Sequence, residues 1–345
     1  MGAFILLADQ AGASKNLSIF DPASPPAESI RSLFILVLAI TGAIFLLVEG
    51  VLIYSVFRFR RRRAEGAEVS TEPPQVYGSM PIEIAWTAAP ALIVFLLALI
   101  LSRTEYEVRV NPNNPPPGSE PLYVTVIGHQ WWWEYVYDKY HGQDLDFITA
   151  NELHVPASDA DTPRPVYLTL KSADVCHSYW VPRLAGKTDL IPGRINQMWF
   201  QSDQDGLYLG QCAEYCGTQH AHMLLRVYVD PPEQFRAWLD NQKTDQAPKP
   251  TDPPALRAGR EAFLSESCIN CHRVRGTRAK GTYAPDLTHL MSRQTLASGM
   301  VPNTRDELRR WVIDPGQTKP GCLMPAFGLS DKKVDLIVNY LMTLK

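Results

Sequence analysis

Two long apolar runs constrain the fold before anything else does. The stretch "LFILVLAITGAIFLLVEGVLIYSVF" (33–57) has Glu49 as its only charge, and "IAWTAAPALIVFLLALILS" (84–102) has none. As helices, each is long enough to cross a hydrocarbon layer of ~30 Å. Pro90 in the second run is tolerable in a membrane helix. Buried helices of soluble cores are seldom this long and this pure. The expectation is a transmembrane hairpin with spans at 31–57 and 81–103, joined by a basic loop at 58–80. The arginines of "RFRRRR" (58–63) put that loop in the cytoplasm. Both termini then lie outside, including a tail at 1–30 and everything after about residue 103. The opening "MGAFILLADQ" lacks the basic n-region of a full signal peptide.

Glu49 lies within the first span and Glu83 at the cytoplasmic mouth of the second. An ionisable group at membrane depth is costly and points to function or a protein partner. The plainer readings are a partner helix for Glu49 and a solvated helix end for Glu83.

Charge and cysteine usage narrow the remainder. A formal net charge of -3 over 345 residues gives no general case for nucleic-acid binding. Six cysteines are present, at 176, 212, 216, 268, 271 and 322. Four of them form two tight pairs beside histidines. That pattern suits metal or haem better than a disulfide framework, which a chain of this length does not need.

Outside the membrane the pattern changes twice. Between residues 121 and 229, segments such as "LYVTVIGHQWWWEYVY", "PVYLTLKS", "INQMWFQS" and "LLRVYV" are rich in β-branched and aromatic residues. They predict an antiparallel sandwich or barrel over 104–240. Asp230 is expected to cap a short closing helix, with Pro231 at its first position. The segment "DNQKTDQAPKPTDPP" reads as a linker, centred on 241–253. Beyond it the period becomes helical. Leu256, Gly259, Arg260 and Phe263 share a stripe, Thr304 and Glu307 form a capping box, and Ser330 starts a helix with Val334, Ile337, Val338 and Leu341 on one face. A helical domain at 254–345 is small enough to need a cofactor in its core.

"CINCH" (268–272) supplies the cofactor. C-x-x-C-H is the attachment signature of c-type haem, with Cys268 and Cys271 bonding the macrocycle and His272 ligating iron. The competing reading, a redox dithiol with a chance histidine, lacks a surrounding βαβ pattern, and here the motif ends a helix. Met324, in "GCLMPAF" (321–327), is a soft second ligand downstream. Histidine–methionine ligation suits electron transfer rather than oxygen chemistry.

The densest cluster is "QCAEYCGTQHAHM" (211–223). Zinc can take two cysteines and two histidines, but has little use for the methionine. A Cys212–Cys216 disulfide would leave His220 and Met223 unexplained. Thiolate, imidazole and thioether together suit copper. Two cysteines four apart could bridge two ions, each wanting one histidine. His220 is in the loop, and His177 in "SADVCHSYWVP" (172–182), three residues after Asp174, offers the other.

With these motifs in hand, the chain resembles subunit II of haem–copper cytochrome c oxidase, from the first span through about residue 240. "GHQWWWEYVY", "DVCHSYWVP" and the loop pattern C-x-E-x-C-G-x-x-H-x-x-M carry the likeness, and "DPASPPAESI" (21–30) looks like the family's start. The C-terminal domain resembles class I cytochrome c, with "YAPDL" (283–287) similar to the loop whose proline packs near the proximal histidine. A fusion of the two resembles the caa3-type oxidases of bacteria. The fold so implied is a two-helix membrane hairpin, a cupredoxin-like Greek-key β-barrel, and a small all-α cytochrome c.

The resemblance implies that Cys212 and Cys216 bridge the two coppers of a CuA centre, with His177 and His220 binding one each. Met223 is then a weak ligand of one copper and the Glu214 carbonyl of the other. The Glu214 carboxylate faces Mg at the boundary with subunit I, and His222 matches no ligand position. Electrons enter at Trp131. On an alternating strand Trp131 and Trp133 share one face and Trp132 takes the other. Glu83 matches a glutamate at the mouth of a proton path. The implied partners are subunit I, with haem a and haem a3–CuB, subunit III, and an upstream donor, either a cytochrome c or a quinol-oxidising complex. The implied location is the bacterial inner membrane, with both redox domains on the outer face.

Three other readings compete. A quinol oxidase subunit II would lack the copper ligands. A nitrous oxide reductase would need a large histidine-rich domain, against the eight histidines present. A membrane-anchored copper or electron carrier outside an oxidase would not need "CINCH" or Met324. Cys176 and Cys322 are expected as unpaired, mostly buried thiols, the bolder alternative being a bond between them.

Overall fold

A computed structural model describes residues 17–60, 75, 77–109 and 112–345. Most of the basic loop, including Arg61–Arg63, and the first sixteen residues lie outside them. The chain divides into two compact units, one of them residues 29–109 and the other everything else.

The first unit is the helical hairpin. Helix α1 runs Pro25–Arg58 and α2 runs Met80–Val108. Both extend several residues past the expected spans, because nothing in the flanking polar residues stops a helix once it leaves the apolar stretch. At ~1.5 Å per residue each exceeds the hydrocarbon thickness. Their apolar windows have mean hydropathies of 2.6 and 2.5 with no residue buried by protein, as lipid-facing surfaces require. The Ser29 hydroxyl donates to Glu107 Oε2 at 3.3 Å, tying the start of α1 to the end of α2.

In the second unit, ten strands build two facing sheets. They are β1 (Leu122–His129), β2 (Trp132–Tyr140), β3 (Gln143–Ala150), β4 (Glu152–Pro156), β5 (Val166–Ser172), β6 (His177–Trp180), β7 (Thr188–Leu190), β8 (Asn196–Phe200), β9 (Gly206–Cys212) and β10 (Leu224–Asp230). One sheet has the order β3-β2-β1-β5-β8 and the other β4-β10-β9-β6-β7. The sheets are mixed rather than wholly antiparallel, since β1 pairs parallel with β5 and β4 with β10. Those parallel pairs are what let strands cross between sheets and close the Greek key. Strict alternation sends Leu122, Val124, Val126, Trp133, Tyr135 and Tyr137 inward.

The run "HQWWW" is not one strand. It contains a hairpin turn between β1 and β2, so Trp131 falls at the turn rather than on the face that buries Trp133. Helix α3 (Pro232–Gln242) has Pro231 as its N-cap, not Asp230, because the Asp230 carboxylate is bonded to His154 Nδ1 at 2.7 Å. Phe235 and Trp238 then close the barrel end against Tyr140 and Tyr137.

The proline-rich segment is held along its length. Thr244 O accepts from Arg275 Nη2 at 3.0 Å, Gln246 N donates to Arg275 O at 3.0 Å, and Asp252 pairs with Arg260 at 2.5 Å. The C-terminal domain follows with α4 (Pro254–Leu264), α5 (Cys268–Cys271), a two-residue ribbon of β11 (Thr295–Leu296) and β12 (Val301–Pro302), α6 (Arg305–Ile313), α7 (Pro315–Thr318) and α8 (Asp331–Leu341). "CINC" forms its own turn of helix after α4 has ended at Leu264. The ribbon is an addition to the expected helices, turned by left-handed φ at Ala297, Ser298 and Gly299.

Helices α4 and α8 cross at Gly259. A Cβ there would run into the Leu336 carbonyl and stand 3.0 Å from Tyr340 Cβ. On an open helix surface Gly→Ala adds ~1 kcal/mol of stability. At this crossing Gly259→Ala is expected to cost about 1–3 kcal/mol instead. Calorimetry of the full chain checks the sign.

Candidate metal centre and haem pocket

Strand pairing brings distant residues to one corner of the barrel. β6 pairs with β9, setting Tyr179 opposite Cys212, which puts His177 beside the cysteine loop. The Cys212 amide donates to Met223 O at 2.9 Å and Ala213 N to Ser178 O at 3.0 Å, closing the loop on itself and on β6. Gly128 makes room, since a Cβ there would lie 2.9 Å from the His177 ring.

The donor atoms converge. Cys212 Sγ is 3.8 Å from Cys216 Sγ, 4.0 Å from His177 Nδ1 and 3.2 Å from the Glu214 carbonyl oxygen. Cys216 Sγ is 3.7 Å from His220 Nδ1 and 3.9 Å from Met223 Sδ. Two ligands each ~2.0–2.3 Å from a shared ion stand roughly 3.3–4 Å apart, so these gaps are the size of a metal ion. The sulfurs are too far apart for a disulfide, whose S–S length is ~2.05 Å. His177, Cys212 and Cys216 are all buried.

The sulfur pair gives up one proton readily and resists losing the second. Their mutual hydrogen bond favours one thiolate, and that thiolate with burial then pushes the other thiol up. Bound cations would favour both groups as thiolates, the form in which cysteine ligates metal. For His177, burial opposes a charged ring, but its bonds to Asp174 and Cys212 outweigh burial and raise its pKa. Asp174 Oδ1 lies 2.8 Å from His177 Nε2, which leaves Nδ1 for the cluster, and Oδ2 accepts from the Gln130 amide at 2.7 Å.

The second site is a cavity partly open to solvent. Cys268, Cys271, His272 and Met324 all line it, among apolar residues such as Phe263, Leu287 and Ile337. His272 Nδ1 bonds the Pro285 carbonyl at 2.7 Å, and burial lowers its pKa, keeping the ring neutral as a ligand must be. Arg293 also lines the cavity, with a buried Nε that has no partner among the described residues. An apolar cavity with two thiols, a held imidazole, a thioether and one orphaned donor fits haem, whose carboxylates would meet that donor.

Trp131 and its neighbour Gln130 both line the cavity and reach the cysteine loop. Trp131 lines the cavity, and its Nε1 donates to the Cys216 carbonyl at 3.0 Å, which also accepts from Gln130 Nε2 at 2.7 Å. Gly217, at φ +115°, brings the loop against the Trp131 ring. Trp133 is instead fully buried, edge-on to His177 at 6.0 Å, and Trp132 stacks on His129 at 4.2 Å.

The other singled-out residues lie apart from the cluster. His222 is exposed, its ring 2.7 Å from Gln219 Oε1. Glu83 sits half-buried beside Gly78 in the membrane unit. Cys176 and Cys322 are both free thiols, and Cys176 is exposed rather than buried, because its side chain points away from the barrel one position before inward-facing His177.

Comparison with known proteins accounts for nearly the whole chain. Three family profiles match: the transmembrane domain of cytochrome c oxidase subunit II at residues 12–102, its periplasmic domain at 122–229, and cytochrome c at 256–345. Cytochrome c oxidase subunit 2 of Alkalihalophilus pseudofirmus is 31% identical over 96% of this chain and 92% of its own length. The chain belongs to the cytochrome c oxidase subunit II family. The corresponding Bacillus sp. protein is 34% identical over 95% of this chain and 92% of its own length. The solved periplasmic domain of subunit II from Bradyrhizobium japonicum is 29% identical over 35% of this chain and 93% of its own, with a TM-score of 0.32. This is therefore an oxidase subunit, membrane-anchored with its redox domains outside the membrane, that admits electrons and carries copper and haem c.

Several residues that shape the site gave little sign in the sequence. Gln130 and Gly128 are ordinary strand-end residues, and Lys319 and Glu152 are single charges with no motif. Asp174, three before His177, was the readable one. Asp174→Asn is expected to lower copper retention roughly 10–100-fold, measured by competition with a chelator.

Proposed function

We propose that His177, Cys212, Cys216, His220, Met223 and the Glu214 carbonyl hold a two-copper CuA centre, and that Cys268, Cys271, His272 and Met324 hold haem c. Loaded, these groups supply one-electron carriers, with haem c as donor to the copper pair and subunit I as the recipient. The chain's own work is to fix them. The barrel fixes the thiols and His177, Asp174 orients His177, and the Pro285 carbonyl orients His272. Trp131, whose ring lines the cavity while its Nε1 donates to the Cys216 carbonyl at 3.0 Å, is the observation that carries this reading.

The finer assignments are those the family resemblance implies. The chain divides into a tail at 1–30, spans at 31–57 and 81–103, a basic loop at 58–80, the copper domain at 104–240, a linker at 241–253 and the cytochrome domain at 254–345. The Glu214 side chain would face Mg at the boundary with subunit I, and Glu83 would stand at the mouth of a proton path. The partners are subunit I, with haem a and haem a3–CuB, subunit III, and an upstream cytochrome c or quinol-oxidising complex. The complex is of the caa3 type, in a bacterial inner membrane.

Trp131→Phe keeps an aromatic wall and removes the donor to Cys216. We expect haem-to-copper transfer in the purified oxidase to slow about tenfold, on the scale set by a displaced reaction partner, with the copper spectrum retained. Rapid-mixing spectroscopy that found an unchanged rate would remove Trp131 from the path.

A further inference from the structure

The contact between the cytochrome domain and the barrel is built around two buried charges. Lys319, at 3% exposure, lies in the cytochrome domain after α7. Its Nζ donates to Trp131 O at 2.7 Å, His222 O at 3.0 Å and Ala297 O at 3.0 Å. Three acceptors use all three hydrogens of an ammonium, which a neutral amine does not have. Among the described residues no ion pair involves Lys319. A buried cation without a counter-ion is costly, and an apolar side chain would seal two domains at lower cost. What the ammonium adds is register. It joins the Trp131 turn, the copper loop and the β11–β12 turn at one atom.

Glu152 performs the reciprocal task from the barrel side. At 2% exposure, its carboxylate accepts from Gln294 N at 2.9 Å, Thr295 N at 2.8 Å and Thr295 Oγ1 at 2.5 Å. Between the two charges run smaller ties. Gln219 Nε2 donates to Pro320 O at 2.7 Å, Ser298 Oγ to Leu224 O at 3.2 Å, and Leu224 N to Ser298 O at 3.3 Å. Apart from the bond to Ala297, these bonds link the barrel to the cytochrome domain, and those from Lys319, Gln219 and Leu224 meet the Trp131 turn, the copper loop and the start of β10.

Resting on the proposed path through Trp131, we infer that Lys319 is a positioning residue. It locks the cytochrome domain onto the copper loop, so that electron transfer within this chain is a fixed-distance step and not a diffusive one. The linker then does not act as a tether for a mobile shuttle, in keeping with its bonds to Arg275 and Arg260.

The test uses the purified oxidase, comparing wild type with Lys319→Met, which keeps the stem and removes the donors, and with Glu152→Gln. Transfer from flash-reduced haem c to copper is followed by absorbance, and amide exchange is followed at residues 294–300 and 217–223. In wild type the rate is expected to be independent of viscosity and ionic strength. Lys319→Met is expected to slow it at least roughly tenfold, make it viscosity-dependent, and raise exchange in both segments, with haem and copper spectra unchanged. Glu152→Gln is expected to shift the same readouts in the same direction. A wild-type rate that falls in proportion to viscosity overturns the proposal even if neither variant folds. So does a folded Lys319→Met oxidase with wild-type rate and exchange. No transfer at all in a fully loaded wild type would instead overturn the underlying path.

Discussion

Two sulfurs face each other 3.8 Å apart in the wall of a β-barrel, and the surrounding structure answers to the charge problem they create. One thiolate there is stabilised by its neighbour, but two would repel in a buried site. Cations bound at the pair would resolve the conflict, and the soft donors on either side suit copper over harder ions. The protein holds those donors in place. The packed aromatic interior of Trp133, Tyr135, Tyr137 and Tyr179 provides a stiff wall behind His177 and Cys212. Asp174 fixes the imidazole, and the bond from Cys212 N to Met223 O fixes the loop.

The same rigidity extends to the cytochrome domain. The helical domain packs a small core of its own around Phe263, Val274, Val334 and Val338, and the rest of its inner surface lines the apolar cavity that fits haem. Its outer rim docks with polar and charged groups at the contact, Lys319 and Glu152 among them. Polar contacts satisfied only in one arrangement give orientation more than adhesion. That is the property a redox relay needs, where distance matters more than affinity.

Much of this was legible in the sequence, because the chemistry lies in short motifs. The two spans, the "CINCH" attachment and the cysteine loop each constrain local chemistry whatever the tertiary context. His177 was legible only because the loop demanded a second imidazole. Strand details were less so. "HQWWW" has the composition of continuous strand, and the hairpin within it is set by pairing partners at Ala150 and Ser172 that lie far along the chain. Asp230 has the composition of a helix cap, but His154 from another strand claims its carboxylate. Lys319 and Glu152 were invisible for the same reason. A single charge carries no pattern, and its burial is a property of two domains together.

The facing thiols are proposed to hold a pair of coppers, not one ion and not a disulfide. Metal analysis combined with electron paramagnetic resonance of the purified, oxidised complex tests it most directly. Two coppers per copy of this chain beyond those of subunit I are expected, with a multi-line hyperfine pattern from one unpaired electron shared equally between them. A single-copper hyperfine pattern, or zinc in place of copper, would contradict it.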